Sequence, residues 1–97
     1  MEPVADTQIA IGITSTLVYE GAMNASLQEF ILTNVSAGGQ RISFSFSDTQ
    51  PAVDGYGPVI YPGGFVGDSS TANHHVYSGR IYAIADLAGA LLAVHIR

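Results

Sequence analysis

An all-β domain, a small antiparallel β-sandwich or barrel of about seven to eight short strands, follows from three features of this 97-residue chain. Short segments alternate apolar and polar residues with a period of two, as half-buried strands do. Clusters of Gly, Pro, Ser and Asn separate those segments at the spacing of sandwich and barrel folds. The segments themselves are rich in Ile, Val, Tyr and Phe, the residues that suit a pleated, half-buried surface.

Residues 1–7 read as an N-terminal arm, with Pro3 discouraging early structure, and residues 8–97 as a single β domain. In "TQIAIGITSTLVYEG", Ile9, Ile11 and Ile13 share one parity, and a second short run ends at Tyr19. Gly12 between them suits a bend or bulge. "LQEFILTN" places Phe30 and Leu32 on one face and Ile31 on the other, a strand with neighbours on both sides. After the turn "VSAGGQ", the segment "QRISFSFS" alternates Ile42, Phe44 and Phe46 with Arg41, Ser43, Ser45 and Ser47. These two strands are expected to form a hairpin. "DTQPAVDGYG" is a loop with an Asp54-Gly55 turn signal. "PVIYPGGF" lies between prolines, which suits an edge strand, and "VGDSSTANHH" carries no assignable pattern. "RIYAIAD" and "ALLAVHIR" read as a closing hairpin turning at Gly89. Ile81, Ile84, Leu87 and Leu91 also match helical spacing, but Tyr82, Ile84, Val94 and Ile96 favour strands.

A chain of this length buries only roughly 60–65% of its unfolded surface, so assembly is one route to further stability. There is no cysteine, hence no disulfide or thiolate metal site. Charged residues are 11% of the chain, against roughly 25% in ordinary soluble domains. Lysine is absent, and Arg41, Arg80 and Arg97 are the fixed cations. Lysines commonly protect sheets from edge-to-edge association, so a surface built instead from Ser, Thr, Asn, Gln and Gly suits one that is covered. A net charge of −5 with three scattered arginines excludes a basic stripe for nucleic acid and disfavours anionic membranes. "MEPVADTQ" opens without a basic or apolar leader, and no apolar run approaches the ~20 residues of a membrane span.

Chemistry is sparse. His74 and His75 lie near Asp68, but adjacent histidines on a strand point to opposite faces, which disfavours joint coordination. His95 alternates with Arg97 on the last strand and suits an exposed or interface face. The carboxylates are spread evenly, and a domain this small has little room for a cleft between two of them. No catalytic residue, cofactor or metal is expected. "NAS" at Asn24 and "NVS" at Asn34 match the glycosylation pattern but read as coincidence without a secretion signal. Tyr56, Tyr61 and Tyr77 could stack on sugars, although core or interface roles are the commoner ones.

The order of these motifs resembles a loose group of small β-sandwich proteins of tailed-bacteriophage virions. The matching segments are Ile11 to Val18, Ile31 to Asn34, Ile42 to Phe46, Tyr61 to Gly64, Gly79 to Ala85 and Val94 to Arg97. The loop between Asp48 and Tyr56 is longer than that pattern expects. The resemblance implies a capsid decoration (cement) protein, made in the host cytoplasm and bound to the outer shell of the virion. It implies the major capsid protein as partner and a homo-oligomer, with a trimer favoured. A head-fibre, tail or adhesin-type module that binds a host or carbohydrate is the alternative. On the decoration reading, the serine face of Ser43, Ser45 and Ser47 packs on a neighbouring subunit. The arm residues Met1, Glu2, Pro3 and Val4 would order on the shell.

Overall fold

The computed structural model describes residues 5–20, 29–71 and 76–96, with residues 5 and 6 described by their backbone alone. The described residues form eight strands. They are β1 (Ala5–Ile11), β2 (Thr16–Glu20), β3 (Glu29–Asn34), β4 (Ile42–Phe46), β5 (Val59–Ile60), β6 (Phe65–Ser69), β7 (Arg80–Ala85) and β8 (Ala90–Ile96). The strands divide into two four-stranded sheets: sheet I in the order β1-β8-β3-β6 and sheet II in the order β2-β7-β4-β5.

Every pairing is antiparallel, and four of them share a simple rule: β1 with β8, β2 with β7, β3 with β6, β4 with β5. The chain is thus one long two-stranded ribbon that doubles back at the β4–β5 connection. Rolling that ribbon drops successive rungs alternately into sheet I and sheet II, and the β3–β8 and β4–β7 ladders close the sheets. Eight strands wound in this way make a jelly roll.

Two expected hairpins are not hairpins. β3 and β4 lie in opposite sheets, as do β7 and β8. Gly-rich turns signal a reversal, but they do not say whether the next strand lies beside the last or across the core. The apolar faces decide it: Phe30 and Leu32 of β3 are fully buried in the same cluster as Ile42 and Phe44 of β4. Asn34, also fully buried, fixes the crossing. Its Nδ2 donates to the Gln40 carbonyl at 2.8 Å and to the Ile60 carbonyl at 3.1 Å, and its Oδ1 accepts from the Ser36 N–H at 3.0 Å. One side chain thereby ties the end of β3 to the start of β4 and to β5.

Other expectations are met or refined. β3 has neighbours on both sides, β5 is an edge strand, and the last segment of the chain is strand rather than helix. Gly12 marks the place where the chain leaves sheet I, and its carbonyl accepts from the Ala85 N–H at 2.9 Å. The bulge lies in β2 instead, where the register shifts between Leu17 and Tyr19. That extra residue lets the adjacent Val18 and Tyr19 both enter the core. β1 already begins at Ala5, so residues 5–7 of the expected arm are strand paired to β8. β6 occupies part of the stretch without a pattern, its residues alternating between exposed and half-buried.

Aromatic rings join the two sheets. Tyr19 and Phe30 face one another at 4.6 Å between centroids, and Phe46 sits 6.4 Å from Phe30 and 5.4 Å from Tyr77. Burial of Tyr19, Phe30 and Phe44 adds large apolar area to a core otherwise made of Ile, Leu, Val and Ala.

Candidate interaction surface

The serine face of β4 has a partner within its own chain. The twelve-residue connection from Ser47 to Pro58 folds back over the outer side of β4. Ser43 is fully buried, and its Oγ accepts from the Gly55 N–H at 3.0 Å. Ser45 donates to the Gln50 carbonyl at 2.9 Å. The Ser47 hydroxyl accepts from the N–H groups of Thr49 and Gln50 at 3.2 and 3.1 Å. Further along, the Ala52 N–H donates to Ser15 Oγ at 2.8 Å, and Ala52 itself is buried. Short hydroxyls hold a loop close to a sheet because each reaches one backbone group without a long stem.

Glycine makes the return possible. Gly57 takes a positive φ of 73°, and a Cβ there would fall 2.3 Å from the Phe44 carbonyl oxygen. Phe44 N–H then donates to the Pro58 carbonyl at 2.9 Å, extending the β4–β5 ladder into the loop. At the outer rim Arg41 reaches Asp54 at 3.0 Å and Asp86 at 3.8 Å. The hydrogen bond to Asp54 leads the causes that raise the Arg41 guanidinium above its ordinary pKa. These groups are about a third exposed, and such pairs contribute little to stability.

The outer face of sheet I is different. Cross-strand partners share a face, and Leu92, Phe30 and Leu32 point inward, so their neighbours point out. Gln8, Ala93, Thr33 and Phe65 form one outward row, and the register places Asp6, His95, Ile31 and Gly67 in another. Ala10 pairs with Leu91 beside them. Phe65 is 69% exposed and Val35, just beyond β3, is 40% exposed. Ala93, Thr33 and Ile31 at the middle of this face are uncharged, while Asp6 on β1 and Glu29 at the start of β3 take register positions on the same face. The other described carboxylates lie at its ends or elsewhere: Glu20, Asp54 and Asp86 belong to sheet II and its loop, Asp48 bonds the Arg80 N–H, and Asp68 bonds the Tyr77 N–H.

Other candidate residues resolve as follows. Met1, Glu2, Pro3 and Val4, together with Asn24, His74, His75 and Arg97, lie outside the described residues. Asn34 is sealed in the core and cannot accept a glycan. Tyr77 donates its hydroxyl to the Arg80 carbonyl at 2.8 Å, a structural role, whereas Tyr56 and Tyr61 are exposed. Among the described residues no three His, Cys, Asp or Glu side chains converge as metal ligands would. Sequence reasoning passed over the face of sheet I because its residues are bland one by one. The signal available was the unpunctuated alternation of β8, whose outward residues Leu91, Ala93 and His95 include no Asp, Glu, Lys or Arg.

No known protein family, curated protein or solved structure matches the chain.

Proposed function

We propose that this chain is a structural protein of a tailed-bacteriophage virion, a decoration protein that binds the outer capsid shell and stabilises it. The observation that carries the reading is the outer face of sheet I, over which no described segment lies. It carries Ala93 and Thr33 at its middle, is apolar at Phe65, Ile31 and Val35, and is set on a four-stranded sheet. A lysine-free sheet of this kind invites association rather than resisting it. The motif order described above and the jelly roll, an architecture used in viral capsid domains, both support it. Fold alone does not establish function.

Its partners in this reading are the major capsid protein and further copies of itself, a trimer being the favoured oligomer. The work is cohesion. A protein that binds only the assembled shell stabilises that state by mass action, and linked copies add avidity. The test is sedimentation of the purified protein with capsids assembled without it, followed by heating of the particles. Co-sedimentation and a raised disruption temperature are expected. A monomer that ignores capsids and leaves their disruption temperature unchanged would overturn the reading.

The exposure of Tyr56 and Tyr61, at 73% and 62%, favours a second reading as a carbohydrate-binding module, since jelly rolls also serve as lectins. Glycan binding by the isolated protein, lost in Tyr56→Ala and Tyr61→Ala, would select it over the first.

A further inference from the structure

Asp54-Gly55 is the one Asp-Gly pair in the chain, and this dipeptide has a chemistry of its own. The Gly55 nitrogen can attack Asp54 Cγ. The new N–Cγ bond closes a five-membered succinimide. The Cγ–O bond breaks, and that oxygen leaves as water with the proton from nitrogen and one from solvent. Water then opens the ring at either carbonyl, returning aspartate or placing the main chain through the side-chain carboxyl as isoaspartate. Glycine presents no Cβ to hinder the attack, so a mobile Asp-Gly pair isomerises readily.

We infer that Asp54-Gly55 is a latent isoaspartate site that the native fold holds shut, and that release of the Ser47 to Pro58 loop from sheet II opens it. Three restraints act on the reacting atoms. First, the Tyr56 N–H donates to the Val53 carbonyl at 3.0 Å, Gly55 has φ +81°, and no described non-glycine residue, Asp54 included, has positive φ. That is a type II turn, in which Asp54 has ψ near +120°. Ring closure requires Cβ and the Gly55 nitrogen to eclipse about the Cα–C bond, about 120° of rotation away. Second, the attacking nitrogen is not free, because its N–H is donated to the buried Ser43 Oγ at 3.0 Å. Third, both carboxylate oxygens are engaged by Arg41, Nε to Oδ1 at 3.3 Å and a terminal nitrogen to Oδ2 at 3.0 Å. The carboxyl must give up one of those oxygens to react.

The consequence reaches past the turn. Isoaspartate inserts a methylene into the main chain of a loop whose hydrogen bonds to Ser43, Ser45 and Ser15 are set by register. Isomerisation would therefore keep the loop from reseating and leave the outer side of β4 uncovered.

The experiment ages purified chain at 37 °C and neutral pH and measures isoaspartate with an isoaspartyl methyltransferase, locating it by fragmentation mass spectrometry. A free peptide spanning Val53 to Gly57 sets the unrestrained rate. The intact protein should isomerise far more slowly than the peptide and reach the peptide's rate in urea. Ser43→Ala and Arg41→Gln should each speed it by about fivefold to tenfold, the factor expected for one hydrogen bond of ordinary net strength. Asp54→Glu should abolish the signal at this position. If circular dichroism shows that Ser43→Ala does not fold, Arg41→Gln carries the comparison. Native protein that isomerises at the peptide's rate, or folded variants that match the parent, would overturn the inference.

Discussion

The two outer faces of this sandwich answer the same problem in opposite ways. Sheet II offers hydroxyls, and the chain returns its own loop over β4 to meet them, burying Ser43 and Ala52. Sheet I offers alanine, threonine and isoleucine on its central strands and phenylalanine at its β6 edge, and no described segment lies over them. Both faces alternate along their strands and both avoid lysine. What differs is the cover: among the described residues only sheet II is covered by a loop of its own chain. A polar face with backbone-length reach suits an intramolecular loop, whereas the weakly polar face of sheet I is the one on which the proposed association would fall.

The largest effect should come from separating the faces at their shared pin. Asn34→Leu leaves the Gln40 and Ile60 carbonyls and the Ser36 N–H without their partner. A loss of about 3 kcal/mol or more is expected, read as a lower midpoint in chemical denaturation. Next, Ser43→Ala takes the acceptor from the Gly55 N–H and should cost about 1–3 kcal/mol, with faster hydrogen exchange confined to residues 47–58. Sheet I amides should keep their protection. If they lose it equally, the loop is part of the core and the contrast fails.

Alkaline pH provides a control that touches neither outer face. Tyr19 is buried and donates its hydroxyl to the Tyr77 carbonyl at 3.0 Å. Burial, with a smaller contribution from Asp68, pushes its pKa from 10.0 up to about 12. The folded chain therefore keeps this proton where the unfolded chain has released it. The stability this contributes is whole below pH 10 and is lost as pH rises towards and through 12. Tyr19→Phe should flatten that part of the pH–stability profile, measured by thermal unfolding across the range.

The smallest change in stability should accompany the sharpest change in assembly. Ala93→Lys sets a cation at the centre of sheet I and should alter folding stability by less than about 0.5 kcal/mol. Light scattering should report a smaller oligomer, and binding to capsids should weaken. Ser45→Lys, on the other face, should disturb the loop while leaving association intact. The opposite result for the pair would move the interface back to the serine strand.

Much of this was legible before any coordinates. The period-two alternation of β3, β4 and β8 identified strands, the buried set Phe30, Leu32, Ile42 and Phe44 followed from parity, and the prolines around Val59 and Ile60 marked an edge. β6 was missed because an edge strand exposed or half-buried throughout leaves almost no apolar signature. The serine strand was legible only in part. Ser43, Ser45 and Ser47 bond a loop of their own chain, and a hydroxyl in the sequence does not say whose backbone it meets.

Local spacing and composition determined by themselves that this chain is all-β, charge-poor, and built from strands whose alternate residues must be covered. Only the tertiary structure decided which strands lie side by side, which lie across the core, and which outer face the chain covers for itself. The reason is range. Side-chain periodicity and turn chemistry are settled within a few residues. The rolling of the ribbon depends on contacts such as Asn34 with Ile60 and Gly55 with Ser43, whose partners meet only once the sheets have closed.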